Sequence, residues 1–170
     1  MSLEDVQAVI ASAKARGEDH LERYIRQRLP DASNEQVVET IEVAMEVIES
    51  IPVLLARAAQ EARARNVEST VGPILEHAEL YFLRPVDLIP EMTHGLAGLL
   101  DDSYLVLRIF QNLQKGPEPF LDWDLDEPLA FLRALLGREI GSQLDSISLV
   151  AMQDVSHHLS LAWQQMSREA

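Results

Sequence analysis

Residues 33–64 read SNEQVVETIEVAMEVIESIPVLLARAAQEARA, and the spacing of their apolar side chains decides the fold class. Val37, Ile41, Ala44, Met45, Ile48, Ile51, Leu55, Ala58, Ala59 and Ala62 recur at three- and four-residue intervals, the signature of one stripe on an α-helix. The opposite face carries Glu35, Glu39, Glu42, Glu46 and Glu49. Ser33 or Asn34 can cap the start, where the glutamates of the first turns meet the positive end of the helix dipole. Arg57, Arg63 and Arg65 complement the negative end. Pro52 lies inside the pattern and is expected to kink the helix or split it near Ser50, because a proline removes a helical donor and crowds the preceding turn.

The same periodicity continues on both sides. Leu3, Val6 and Ile10 precede Gly17, and Leu21, Tyr24, Ile25 and Leu29 follow it, so residues 3–29 read as one bent helix or two short ones that Pro30 ends. Further helices are expected over 70–84 (with Pro73 in the first turn), 101–115, 128–137 and 139–168. Gly116 to Pro128 holds three prolines and five acids and reads as the longest loop. No strand-type alternation and no internal repeat is visible. The expectation is a single all-α domain over 1–170, a helical bundle of six to eight helices with a helix–turn–short helix–turn–helix motif at 73–115. The helix over 33–64 is expected at its centre, packed on that motif and on the long C-terminal helix.

Composition narrows the function classes. The 170 residues include no cysteine, 28 acids and 14 bases, for a net charge of −14. Without cysteine there are no disulfides, thiolate nucleophiles or cysteine-ligated metals, which suits a reducing compartment. The acidic balance argues against nucleic acid and anionic membrane surfaces, both of which recruit lysine and arginine. The local basic group Arg16, Arg23, Arg26 and Arg28 is interleaved with Glu18, Asp19 and Glu22, so it reads as a solvated face with intrahelical ion pairs. The start, Met-Ser-Leu-Glu-Asp, lacks the features of a secretory leader, and no stretch approaches the ~20 apolar residues of a spanning helix. A cytoplasmic protein without stable membrane insertion is expected.

The segment from Tyr81 to Asp102 carries the densest local signals. It reads Tyr81-Phe82-Leu83-Arg84-Pro85-Val86-Asp87-Leu88-Ile89-Pro90-Glu91 and runs on to Leu99-Leu100-Asp101-Asp102. Pro85 ends one helix. Asp87 can cap a short one, in whose first turn Pro90 loses no hydrogen bond and Glu91 adds favourable negative charge. Gly95 and Gly98 bracket the next turn. Asp101 is then placed to cap a helix starting at Asp102, with Leu100 and Leu105 spaced as a hydrophobic staple. Capping thus accounts for Pro85, Asp87, Pro90, Gly95, Asp101 and Asp102 without chemistry.

The string Tyr-x-Leu-x-Pro-Val-Asp-Leu-Ile-Pro-Glu, followed by Gly-Leu and Leu-Asp-Asp, resembles the YkvA-like domain, a small bacterial and archaeal helical family without an established biochemical role. The resemblance spans about residues 80–113, a fifth of the chain. His94 stands where the family usually has a second proline, and Ala97 and Gly98 occupy the place of a single glycine. Transient membrane association is implied by the resemblance alone.

Other candidates are sparser. Glu91 and His94 have Glu-x-x-His spacing and Asp154 and His157 the related Asp-x-x-His spacing, an arrangement used in helical di-metal sites. Asp87, Glu91, His94, Asp101 and Asp102 are the candidate metal ligands of a metal-dependent enzyme. Adjacent His157 and His158 point about 100° apart on a helix, one toward the core edge and one toward solvent. No nucleophile elbow or phosphate-binding glycine loop occurs, and no cofactor is implied. Phe120 and Trp123, displayed among acids, are the candidate partner-binding residues, because aromatics are enriched at contact hot spots. The other expectation for them is a lid folded back over the helices. The favoured reading is a non-enzymatic module that binds a protein partner, with a homodimer as another way to cover the long stripe.

Overall fold

The computed structural model describes residues 3–83, 96–115 and 120–169, the side chains of 154–156 and 166–169 excepted. These residues form an all-α bundle of seven described helices: α1 (Leu3–Ala15), α2 (Asp19–Arg28), α3 (Asn34–Ala64), α4 (Glu68–Leu83), α5 (Gly98–Gln114), α6 (Asp126–Leu136) and α7 (Arg138–Glu169). The short helix expected after Pro85 falls outside the described residues.

Local chemistry sets the boundaries. Residues 3–29 are two helices because Gly17, at φ +94°, turns the chain while its N–H bonds the Lys14 carbonyl at 2.9 Å. At the start of α3 the Ser33 hydroxyl accepts from the Gln36 N–H, and the Gln36 side chain accepts from the Ser33 N–H, a complete capping box. Its end is a Schellman turn. Asn66 takes the left-handed conformation at φ 56°, its N–H bonds Arg63, and the N–H of buried Val67 reaches back to Ala62. Pro52 does not break α3, which runs unbroken through it. Pro52 and its neighbours Ile51, Leu54 and Leu55 are all buried, so tertiary packing holds a turn that has lost one hydrogen bond.

The centre of the bundle is α5, not α3 as the length of the apolar stripe suggests. Every residue from Leu99 to Leu107 is buried, followed by Ile109, Phe110 and Leu113. A helix buried all round lies inside the core rather than on its surface. Consistent with this, α5 packs against α3, α4, α6 and α7. The principal partners of α7 are α4, α5 and α6, while α3 also takes α1 and α2. The helix pair α4–α5 therefore carries both long helices.

Two further boundaries differ from the sequence reading. Helix α4 begins at Glu68, with the Thr70 and Val71 N–H groups bonded to the Val67 carbonyl, so Pro73 sits in the second turn rather than the first. Helix α5 begins at Gly98 rather than Asp102. Glycine costs roughly 1 kcal/mol against alanine within a helix. Burying Leu99 and Leu100 outweighs that, at about 1.5–3 kcal/mol for each large apolar side chain.

Candidate functional site

Three groups of polar and aromatic side chains stand out on this frame. The first lies in the opening turns of α5. Asp101 is 2% and Asp102 0% exposed. Because α5 starts at Gly98, both lie inside the helix, and the residue preceding its first turn is Ala97, which supplies no side-chain cap. The expected Asp101 cap and the Leu100–Leu105 staple are thereby corrected. The Asp101 carboxylate instead accepts from the Asp102 N–H at 2.9 Å. Tyr24 of α2, 5% exposed, is nearby in electrostatic terms. Burial pushes its phenol above the ordinary range, Arg28 opposes the rise and Asp101 adds to it.

The other residues of this motif divide between described and undescribed positions. Tyr81 is half-buried on α4, and the ring of His77, also half-buried, meets it edge-on with centroids 5.6 Å apart. Pro85, Asp87, Pro90, Glu91, His94 and Gly95 lie outside the described residues. Among the described residues no three histidine, aspartate or glutamate side chains are grouped to hold a metal ion. His157 is exposed and His158 half-buried, with ring centroids 6.0 Å apart.

The second group joins α5, α6 and α7. The Tyr104 hydroxyl donates to Asp145 at 2.7 Å, Arg133 donates to both the Tyr104 oxygen and the Asp145 carboxylate, and the Arg108 guanidinium lies 3.7 Å from Asp145. Burial acts to raise the Asp145 carboxyl, but the hydrogen bonds from Arg133 and Tyr104 and the arginine charges prevail and hold it below the ordinary range. Burial and the bond to Asp145 push the Tyr104 phenol up. Tyr104, Arg133 and Asp145 bond one another across three helices, which makes the cluster a clasp between them.

The third group is the segment after α5. Gln114, in its last turn, clamps residues 121–123. Its amide nitrogen donates to the Leu121 carbonyl at 2.5 Å and to the Trp123 carbonyl at 3.3 Å, and its amide oxygen accepts from the Leu121 N–H at 2.7 Å. This closes the segment over α3 and α5. Phe120 is 1% exposed, so it is a core side chain and not a displayed anchor. Arg65 lies over its ring at 5.3 Å. Trp123 is only half-buried, with Arg57 over its ring at 5.4 Å, a cation–π contact of about 0.5–1 kcal/mol at such a site. Beside it opens a groove of about 460 Å³ with Leu54, Leu107 and Leu125 at its base and Trp123, Pro128 and Ser50 around it. Asp122 and Asp124 also line it and are exposed. Proximity of Phe120 and Trp123 in the sequence gave no sign of Gln114, whose polar side chain carries no pattern of its own.

Three of the four arginines near the N-terminus enter structural contacts. Arg26 bridges Glu22 one turn away and Asn34, Arg16 bonds Ser12, and Arg28 donates to the Leu135 carbonyl at the end of α6.

The described residues thus define an all-helical bundle with a buried acidic turn at the head of its central helix. Residues 78–107, which span the end of α4 and the first part of α5, match the sequence model of a family described as a protein of unknown function, DUF1232. The match overlaps the stretch, about residues 80–113, on which the YkvA-like resemblance rests. No curated protein and no solved structure matches the chain. No helix among the described residues is long and apolar enough to cross a membrane.

Proposed function

We propose that the protein is a non-enzymatic interaction module whose partner surface is the Trp123 groove. The observation that carries this reading is the contrast between Phe120 and Trp123. One is consumed by the core, and the other is held at the surface by a carbonyl clamp beside an apolar cleft. A half-exposed tryptophan fixed by its own backbone pays little ordering entropy on contact, as hot-spot residues require. The Tyr104–Asp145–Arg133 cluster, by comparison, spends its polar groups on joining helices.

A photo-crosslinking amino acid at position 123 tests the proposal in cells. A discrete crosslinked protein is expected from position 123 and none from position 149, an exposed site on α7. Products from 149 with none from 123 would move the partner surface to α7.

A further inference from the structure

The groove also carries information about the chemistry of its occupant, and this step rests on the reading of the Trp123 groove as a partner surface. The base is apolar: Leu54 from α3, Leu107 from α5 and Leu125 are buried side chains whose surfaces still line the cavity. At about 460 Å³ it falls within the range of roughly 300–1,000 Å³ typical of clefts that hold a small ligand, room enough for one large side chain. The mouth is acidic. Asp122 and Asp124 line it, and Asp126 and Glu127 follow at the start of α6, all four exposed. Two have local duties: Asp124 accepts from the Asp126 N–H, and Asp126 accepts from Gln111. Neither duty neutralises a charge. Among the described residues the nearby cations are Arg57, stacked over Trp123, and Arg65, which shares a neighbouring cavity with Arg57 and Asp122, two positive charges against the four acids. The mouth therefore stays net negative, inside a chain that is negative as a whole.

From these features we infer that the groove receives a basic segment of a partner protein, seating one apolar side chain on Leu54, Leu107 and Trp123 while lysine or arginine residues beside it meet Asp122 and Asp124. An apolar anchor supplies the desolvated contact, and the flanking charges supply orientation and encounter rate. An acidic segment would bring like charges to the mouth, and a purely apolar one would leave the rim unused. A helix with apolar and basic faces satisfies both parts of the site at once.

The test uses the full-length protein labelled with 5-fluorotryptophan, whose two fluorine resonances are assigned with Trp163→Phe. Two peptides are titrated, one of leucine and lysine at helical spacing and one of leucine and glutamate. The expected result is a saturable shift of the Trp123 resonance with the lysine peptide only. Asp122→Asn/Asp124→Asn should weaken it roughly fivefold, the scale of two exposed ion pairs. Glu39→Gln/Glu42→Gln, which removes the same charge from α3 at a distance, should leave it unchanged. Equal shifts with both peptides would overturn the basic partner while keeping the groove as a docking site. Equal weakening by the two charge variants, or binding of the lysine peptide that leaves Trp123 still, would reduce the effect to general attraction and overturn the inference. A Trp123 shift that follows protein concentration alone, with a dimer in sedimentation, would give the groove to a second copy of the chain. Silence at Trp123 with either peptide would also overturn the inference, and crosslinking from position 123 would then judge the docking surface by itself.

Discussion

Gly137 sits between α6 and α7 at φ +89° and ψ 169°, a region of backbone space that is essentially glycine's alone. A Cβ there would stand 2.0 Å from the Arg28 guanidinium, whose Nε donates to the Leu135 carbonyl. Gly137→Ala is expected to cost about 1–3 kcal/mol in denaturant unfolding from the backbone alone. The Arg28 clash adds to that, and an Arg28→Ala background should remove only the added part. Gly17→Ala is the control, since its φ is also positive but nothing lies within 4 Å of its Cβ. Glu79 is a half-buried acid on α4. Burial pushes its carboxyl up, with Glu76 and Asp5 adding to the rise. A raised folded value means that Glu79 contributes most stability when protonated, below the ordinary carboxylate range. That contribution is lost as pH rises through the elevated value. Glu79→Gln should therefore raise Tm at neutral pH and flatten its pH dependence. Asp145 has the opposite sign: its depressed carboxyl stabilises above the ordinary range, and the benefit is lost on acidification through the folded value. The Arg28 and Asp145 partnerships were not visible in the sequence. Arg28 and Leu135 are 107 positions apart, and Tyr104 and Asp145 are 41 apart. Only tertiary placement creates those contacts.

At the scale of elements, the helices that were legible are those whose ends carry their own chemistry. Ser33 and Gln36 mark the start of α3 within one turn, and Ser33→Ala is expected to cost about 1 kcal/mol by chemical denaturation. Gly17 and Pro30 delimit α2 in the same local way. The boundaries that misled are those where packing overrides propensity. Gly98 reads as a turn and Pro73 as a first-turn residue, yet both lie inside helices held by buried neighbours, Leu99 and Leu100 in one case and Val71, Ile74 and Leu75 in the other. The acid pair follows from the same override. Asp101 and Asp102 look like caps until α5 is extended by a turn, after which they are core residues. The loop over 120–125 is an element made by one side chain. Gln114→Ala removes its three clamp bonds and should leave far-ultraviolet helicity intact while raising the acrylamide quenching of Trp123. Unchanged quenching would show that Phe120 packing alone holds the segment.

Across the whole molecule, α5 is the shared wall of the bundle, and perturbing it should be felt everywhere. Leu105→Ala is expected to lower stability by about 2–5 kcal/mol, whereas Val53→Ala on the exposed side of α3 should change it little. The helical fold class was legible from the periodicity of residues 33–64, but the centre was not. The longest stripe marks the helix with the clearest boundary between core and water, and a helix buried on every side has no such boundary to display. The candidate surface was legible only in part. The acidic, aromatic loop pointed to the region, while the exchange of roles between Phe120 and Trp123 depends on Gln114 and α3. Whether the groove beside Trp123 receives a partner can be read from methyl and indole NMR during titration with the leucine–lysine peptide. The methyls of Leu54, Leu107 and Leu125 are expected to move together with the Trp123 indole while the Leu149 methyls stay in place. Movement confined to Leu149 and α7, with the groove still, would contradict it.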